Sequence, residues 1–343
     1  MKIVVIGDGK VGRSIVENTC REGHEVVVID KNPKVIEELV DQYDAGGICG
    51  NGVCIDIQES AGVAKADLVV AATSMDEVNL LSCLIAKKLG AKATIARVRS
   101  YEYNSQIELM KESLGIQMTI NPELETAIEI MNIINFPEAI HVDSFANGKL
   151  DLVELYIPEN SPLIGSTLAS ISSKYQVKIL VCAVQRKEEV FIPTGNFTFE
   201  AKDKIHITAS RSVIKTFLNK LGLIETKIKD VLIIGGGKIS TYLAESLIKN
   251  KYNVKIIESD CYSNISGKFD YILTNPPIRA GKKVVDQILA DAKDHLVEKG
   301  VLLVVIQKKQ GAPSAKKLMT KIYGNCEILA RDKGYYILMS TNN

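Results

Sequence analysis

The chain has 343 residues, 46% hydrophobic and 24% charged, with a formal net charge of +1. That length suggests about two to three domains, and the charge balance provides no global basic field for nucleic acid. Tryptophan is absent and only 6% of residues are aromatic, so stacking platforms for single strands are scarce.

No apolar run approaches the ~18 residues that a membrane-spanning helix needs. The opening IVVIG is followed at once by Asp8 and Lys10, which reads as a strand and not as a signal peptide. The seven cysteines show no CxxC spacing. An odd, irregular set points to reduced thiols in a cytoplasm, not to a disulfide framework or a zinc site.

Residues 3–6 are apolar and mostly β-branched, as in a strand buried on both faces. Gly7-Asp8-Gly9-Lys10-Val11-Gly12 follows, and a helix is expected from about Val11 to Arg21. In such a bend Gly7 allows the tight turn, Gly9 lets the backbone approach a pyrophosphate, and Gly12 lets helix and strand pack closely. The anion rests on unpaired N–H groups at the positive end of the helix. A second strand, EVVVID, ends in Asp30, placed to accept from a ribose diol. The charge of Asp30 disfavours a ribose phosphate and so points away from NADP.

The βα rhythm continues. ADLVVAAT (66–73) reads as a strand, with Thr73-Ser74 able to cap the helix that begins near Asp76. That helix places Val78, Leu81, Leu84 and Ile85 on one face and ends at Gly90. ATIARV (93–98) and MTIN (118–121) are the next strands. Ligands in such sheets bind at the carboxyl ends of strands, so Asp30, Thr73, Ser74 and Arg97 are expected to converge on one crevice.

GDGKVGRSI, the acid at Asp30, GNGVCIDIQESAGVAKADLVVAAT, DEVNLLSCLIAKKLG and TIARVRSYEY stand in the order found in RCK domains, the regulators of potassium conductance. The resemblance covers roughly residues 1–225. It implies binding of NAD(H), and of ATP or ADP, by Gly7, Asp8, Gly9, Lys10, Val11, Asp30, Asn51, Thr73, Ser74 and Arg97. Family members usually carry Asp where this chain has Asn51. Lys10 stands where related sensors offer a basic side chain to a neighbouring subunit's ligand, or it is a solvated surface lysine. The resemblance further implies a cytoplasmic homo-oligomer. That assembly would sit on the membrane through an integral potassium transporter subunit of the TrkH or TrkG type, with no nucleic acid.

Hydride transfer needs a proton donor or acceptor beside the nicotinamide. The four histidines, His24, His141, His206 and His295, read as surface or packing residues. The site therefore reads as a sensor with no evident chemistry attached.

Pro122 opens and Pro137 closes a linking helix (122–140). Residues 141–225 then show period-two strands with turns at Asn147-Gly148, Pro162, Gly165 and Thr194-Gly195-Asn196. This α+β unit resembles the RCK C-terminal subdomain. Arg186, Lys187, Glu188 and Glu189 read as a solvated hairpin turn.

From residue 226 the chain repeats its opening: VLIIGGGKISTYLAESLIKNKYNVKIIES. Gly235, Gly237, Lys238 and Glu258 stand where Gly7, Gly9, Lys10 and Asp30 stood. Ser240 replaces the third glycine and should hold helix and strand further apart. After about residue 260 the sequence resembles the second half of small methyltransferases, the family that includes ribosomal-RNA guanine methyltransferases. The resemblance rests on DYILTNPPIRAGK and the closing CEILARDKGYYILMS, which looks like a terminal strand pair. It implies that Asn275 accepts from a target amine and that Ile278 stacks on the base. Arg279, Lys282 and Lys283 could then meet phosphates. About ten residues separate Glu258 from Phe269, which leaves no room for a helix–strand–helix or for a helix covering that face of the sheet.

The expected architecture is α/β, in three parts. A Rossmann-like doubly wound parallel sheet occupies 1–121, a small α+β unit 141–225, and a second Rossmann-like hybrid domain 226–343. The expected function is ligand-driven gating of potassium uptake. Two alternatives stay open: S-adenosylmethionine-dependent methylation through Asn275, and a Rossmann oxidoreductase.

Overall fold

The computed structural model describes residues 1–146, 148–223, 230–252, 254, 257, 259–332 and 335–343. The first unit alternates strand and helix: β1 (Lys2–Ile6), α1 (Lys10–Arg21), β2 (Glu25–Asp30), α2 (Pro33–Gln42), β3 (Ala45–Cys49) and α3 (Ile55–Ser60). It continues with β4 (Leu68–Ala71), α4 (Asp76–Leu89), β5 (Ala93–Arg97), α5 (Tyr101–Leu114) and β6 (Met118–Ile120). All strands are parallel, in the order β3-β2-β1-β4-β5-β6. Val4 and Val5 of β1 are both 0% exposed because helices cover both faces of the sheet. The order reverses between β1 and β4, which opens a crevice at the carboxyl ends of those strands.

The sheet-facing side of α4 is Asn79, Ser82, Cys83 and Ala86, while Leu81 is 47% exposed. Small side chains let the helix sit close to the sheet, while Leu80 and Leu89 pack at the margin of the core.

Helix α6 (Pro122–Asn135) follows, with Pro122 in its first turn and Asn121 as its cap, accepting from the Leu124 N–H at 3.0 Å. The middle unit contains β7 (Ala139–Phe145), β8 (Leu150–Tyr156), α7 (Leu168–Tyr175), β9 (Leu180–Arg186), β10 (Glu189–Phe191), β11 (Lys204–Ala209) and α8 (Arg211–Lys220). Its sheet is antiparallel, ordered β10-β9-β11-β8-β7, and one face packs against α7 and α8. Asn147, expected in a turn, lies outside the described residues. Arg186 is not part of a solvated turn. It grips the fully buried Asp203 carboxylate at 2.7 and 2.8 Å, bonds Glu200 at 2.6 Å and lies over the Phe197 ring.

The last unit contains β12 (Val231–Ile234), α9 (Lys238–Lys249), β13 (Phe269–Thr274), α10 (Lys282–Asp291), β14 (Leu296–Gln307), α11 (Ala312–Tyr323), β15 (Glu327–Asp332) and β16 (Tyr335–Thr341). Its sheet runs β12-β13-β14-β16-β15, parallel through β14 and then closed by the antiparallel β15–β16 pair. Helices α10 and α11 cover one face. The other face is covered by α9 together with α6, donated by the first half of the chain. Ala127, Ile130, Met131 and Ile134 follow i, i+3, i+4, i+7 spacing and pack with Tyr242, Leu243, Leu273, Leu303 and Val305. The expectation that no helix could cover this face is thus corrected: the cover comes from residues more than a hundred positions upstream, not from the short connection before β13. Each large apolar side chain so buried contributes about 1.5–3 kcal/mol.

Candidate functional site

The bend between β1 and α1 is tight for reasons that can be measured. Gly7 has φ +93°, and a Cβ there would meet Thr73 at 2.8–2.9 Å. A Cβ on Gly12 would fall 1.9 Å from the Gly7 carbonyl oxygen, so this glycine is required by the bend itself as much as by strand packing. Gly9 faces open space, with only the Ala72 carbonyl at 3.8 Å from a Cβ placed there. Gly9 also caps α1 without any side-chain hydrogen bond, and the first intrahelical bond is from Arg13 N–H to the Gly9 carbonyl at 2.9 Å. The N–H groups of Lys10, Val11 and Gly12 consequently have no intrahelical acceptor and point out of the helix start.

Asp30 ends β2 next to this bend. Its Oδ2 accepts from the Asp8 N–H at 2.8 Å and its Oδ1 from the Asn32 N–H at 2.9 Å. Each oxygen keeps a second lone pair, so the carboxylate is oriented and can still accept from a diol. Asn51 is beside it: the Gly50 N–H bonds the Asp30 carbonyl at 2.8 Å, and the Cys54 N–H bonds the Asn51 carbonyl at 2.9 Å. The exposed thiol of Cys49 lies 3.6 Å from the Lys31 carbonyl.

Asp8 turns away from this edge and into the protein. Its carboxylate is fully buried, and Oδ2 takes Nε and Nη2 of Arg13 at 2.9 and 2.6 Å. Oδ1 is buried without a partner. Burial pushes the Asp8 carboxyl above its ordinary range, partly offset by Arg13.

At the β4 end, Thr73 and Ser74 do not cap α4, as had been expected. The cap is Met75, with no side-chain bond to the helix, and Thr73 Oγ1 receives only the Met75 N–H at 3.3 Å. Thr73 is held instead by Asn79, whose Oδ1 accepts from the Thr73 N–H at 2.8 Å and from its hydroxyl at 2.7 Å. Asn79 Nδ2 donates to the Arg97 carbonyl at 2.9 Å, tying the ends of β4 and β5 together. The sequence reading did not single out Asn79. Its signal was a carboxamide on the small-residue face of an apolar helix.

The Ser74 carbonyl accepts from Arg99, whose own N–H bonds Asp76 at 2.9 Å. Arg97 is drawn to Glu123 at 3.0 Å, in the first turn of α6, and its side chain is only 13% exposed. Gly7, Thr73, Asp30 and Asn51 thus border one crevice, while the Arg97 guanidinium is committed to the start of α6.

The second bend is looser. Gly235 has φ +107° with the Asn275 carbonyl 3.8 Å from a placed Cβ, and Gly236 and Gly237 face open space. Ser240 lines a void with Ile233, Leu243, Thr274, Asn275 and Ile130 of α6. Glu258, with Asn253, Lys255 and Ile256 of the expected second strand, lies outside the described residues. Asn275 is exposed at the end of β13, with Pro276 buried behind it. Among the described residues no His, Cys, Asp and Glu group could hold a metal ion. His24 precedes β2, at the end of the sheet opposite the crevice, and His295 stacks on Tyr262 at 4.7 Å. No helix among the described residues is long and apolar enough to cross a membrane.

The TrkA-N domain model matches residues 3–122, the TrkA-C domain model 152–222 and the methyltransferase small domain model 240–339. The Trk system potassium uptake protein TrkA of Vibrio alginolyticus is 30% identical over 336 residues, covering 94% of this chain and 72% of the relative. The TrkA homologue of Archaeoglobus fulgidus is 34% identical over 259 residues, covering 76% of this chain and 58% of its own length. Among solved structures, the GsuK channel superposes with a TM-score of 0.54 at 14% identity, over 99% of this chain and 76% of that one. A GsuK channel bound to NAD gives a TM-score of 0.53 at 15% identity, over 99% and 76%. These two likenesses show the fold.

Proposed function

The chain belongs to the family of the Trk system potassium uptake protein TrkA, and from that premise we propose that it is a nucleotide-responsive regulatory subunit of potassium uptake. The ligand is NAD(H), ATP or ADP. Its phosphates rest on the free N–H groups of Lys10, Val11 and Gly12, its ribose on Asp30, and its remainder runs past Asn51 or toward Thr73 and Ser74. The observation that carries this reading is the Asp30 carboxylate, fixed by two backbone N–H groups beside an uncapped helix start. The bound NAD named for one GsuK structure supports the same class of ligand.

Binding acts by shifting the arrangement of units, which requires different affinities for the two arrangements. The effector is a potassium transporter subunit of the TrkH or TrkG type in the membrane. The regulator works from the cytoplasm as a homo-oligomeric ring, without nucleic acid. Isothermal titration of NADH, NAD, ATP, ADP and S-adenosylmethionine against wild type and Asp30→Ala tests the site. Loss of adenine-nucleotide affinity in the variant is expected, and unchanged affinities refute the assignment.

The match to the methyltransferase small domain favours a second reading for residues 240–339, in which Asn275 orients a target amine. Transfer of labelled methyl groups that disappears in Asn275→Ala, with S-adenosylmethionine binding retained, would establish it. Hydride transfer has no comparable support, and a substrate-dependent change near about 340 nm would be its signature.

A further inference from the structure

The joint between the linking helix and the middle unit is polar and buried. Helix α6 turns two asparagines toward α8, Asn132 and Asn135, which are 4% and 3% exposed. They stand one turn apart and meet two cations that stand one turn apart on α8. Arg211 Nη2 donates to Asn132 Oδ1 at 3.2 Å, and Lys215 Nζ donates to Asn135 Oδ1 at 2.5 Å.

The two cations differ in what neutralises them. Arg211 Nε bonds Oδ2 of the fully buried Asp151 at 2.7 Å. The other oxygen of that carboxylate takes the Ser144 hydroxyl at 2.6 Å and Arg211 Nη2 at 3.3 Å. Lys215 is half-buried and has no ion-pair partner among the described residues, and the first turn of α8 carries no acid. Burial, and after it the Arg211 charge, push the Lys215 ammonium below its ordinary value, while Asp151 pulls it back in part. On the carboxamide that Lys215 touches, Asn135 Nδ2 is buried without an acceptor. A donor left idle in this way costs about 1–3 kcal/mol. A desolvated lysine beside another cation is a setting in which the free amine acts as a nucleophile.

We propose that Lys215 is a carbamate-forming site: its amine adds carbon dioxide, and the new carboxylate accepts from Asn135 Nδ2 and faces the Arg211 guanidinium. The step balances without a redox partner. The ammonium gives one proton to water, and the freed lone pair forms the N–C bond. One C=O pair moves onto oxygen, and the nitrogen releases a second proton to solvent. Carbon dioxide is small and uncharged, which suits a half-buried amine. The product replaces a cation that has no acid partner by an anion beside a guanidinium. The idle N–H of α6 gains its acceptor from a side chain of α8, so the modification ties the linking helix to the middle unit.

The test is chemical trapping in the full chain. Wild type, Lys215→Arg and Asn135→Leu are equilibrated with isotopically labelled bicarbonate and carbon dioxide, alkylated with a trialkyloxonium salt, and read as peptides by mass spectrometry. Label at Lys215 should exceed that at the exposed Lys187 and vanish from that position in Lys215→Arg. In Asn135→Leu it should fall at least about tenfold, the scale of one hydrogen bond to a charged group. Label at Lys215 no greater than at Lys187 overturns the site, and this comparison needs wild type alone. Label unchanged in a folded Asn135→Leu overturns the part given to the idle N–H. Amide hydrogen exchange in the last turn of α6 should slow under carbon dioxide in wild type and not in Lys215→Arg. Equal exchange with and without carbon dioxide in wild type overturns the tie between the helices.

Discussion

Asn121 Nδ2 donates to the Tyr242 hydroxyl at 2.7 Å, and that hydroxyl donates onward to the Arg99 carbonyl at 3.1 Å. Asn121 is 6% and Tyr242 4% exposed, so a buried polar chain runs from the end of β5, through the cap of α6, into α9 of the last unit. Removing the hydroxyl leaves a buried N–H and a buried carbonyl each short of a partner. Tyr242→Phe should therefore cost about 1–3 kcal/mol, read as a lower urea midpoint with an unchanged slope. Asn121→Ala adds the loss of the cap, about 0.5–2 kcal/mol more. A Tyr242→Phe midpoint equal to wild type would mean the bridge is not formed in solution.

Helix α6 gives the first and last units one core. Ile130, 2% exposed, sits between Leu243 and the β13–β14 face. Truncating it to alanine should cost about 2–5 kcal/mol. Because the core is shared, probes placed in either unit should lose signal at the same denaturant concentration. A last unit that melts separately, while the first keeps its wild-type midpoint, would contradict the shared core.

The parts of this fold that rest on local pattern were legible from the residues. The buried run at 3–6, the bend at 7–12 and the acid at Asp30 each follow from a nearby backbone requirement, whereas the closing strand pair was read from a family resemblance. What eluded sequence reasoning depends on partners far along the chain. The sheet-facing side of α4 was not read from the sequence, because close packing there selects the small residues Asn79, Ser82, Cys83 and Ala86. Arg186 looked solvated because Asp203, the buried carboxylate it pairs with, is a strand away. The apolar stripe of α6 was visible as a helix, but nothing local says that its stripe meets α9.

The two bends differ at their third position, where the first has Gly12 and the second already carries Ser240. A methyl on Gly12 would overlap the Gly7 carbonyl, whereas one on Gly237 meets nothing within 4 Å. Gly12→Ala should distort the first bend and lower adenine-nucleotide affinity at least about tenfold, a loss of about 1.4 kcal/mol. Gly237→Ala should leave stability within about 1 kcal/mol of wild type, the scale of replacing a capping glycine. Parallel titration and thermal melting of the pair would check this, and a Gly12→Ala affinity equal to wild type would show that the first bend accommodates the methyl.

Asp8 gives the first unit a distinctive acid response. Its carboxylate is buried with one oxygen unpartnered, and burial raises its pKa in the folded chain above the ordinary 3.8. Between the unfolded and folded values the native state holds more protons than the unfolded chain, so stability falls as pH rises through that window. Below the unfolded value both states are protonated and the penalty vanishes. Above the folded value it is present in full, less what Arg13 returns through its bonds at 2.6 and 2.9 Å. Asp8→Asn cannot titrate, yet it leaves the backbone N–H that binds Asp30 in place. Urea midpoints measured upward from about pH 4 should therefore decline less steeply, or rise more steeply, with pH in the variant than in wild type. Parallel profiles would show that the buried carboxyl titrates at its unfolded value and that Arg13 fully compensates its burial.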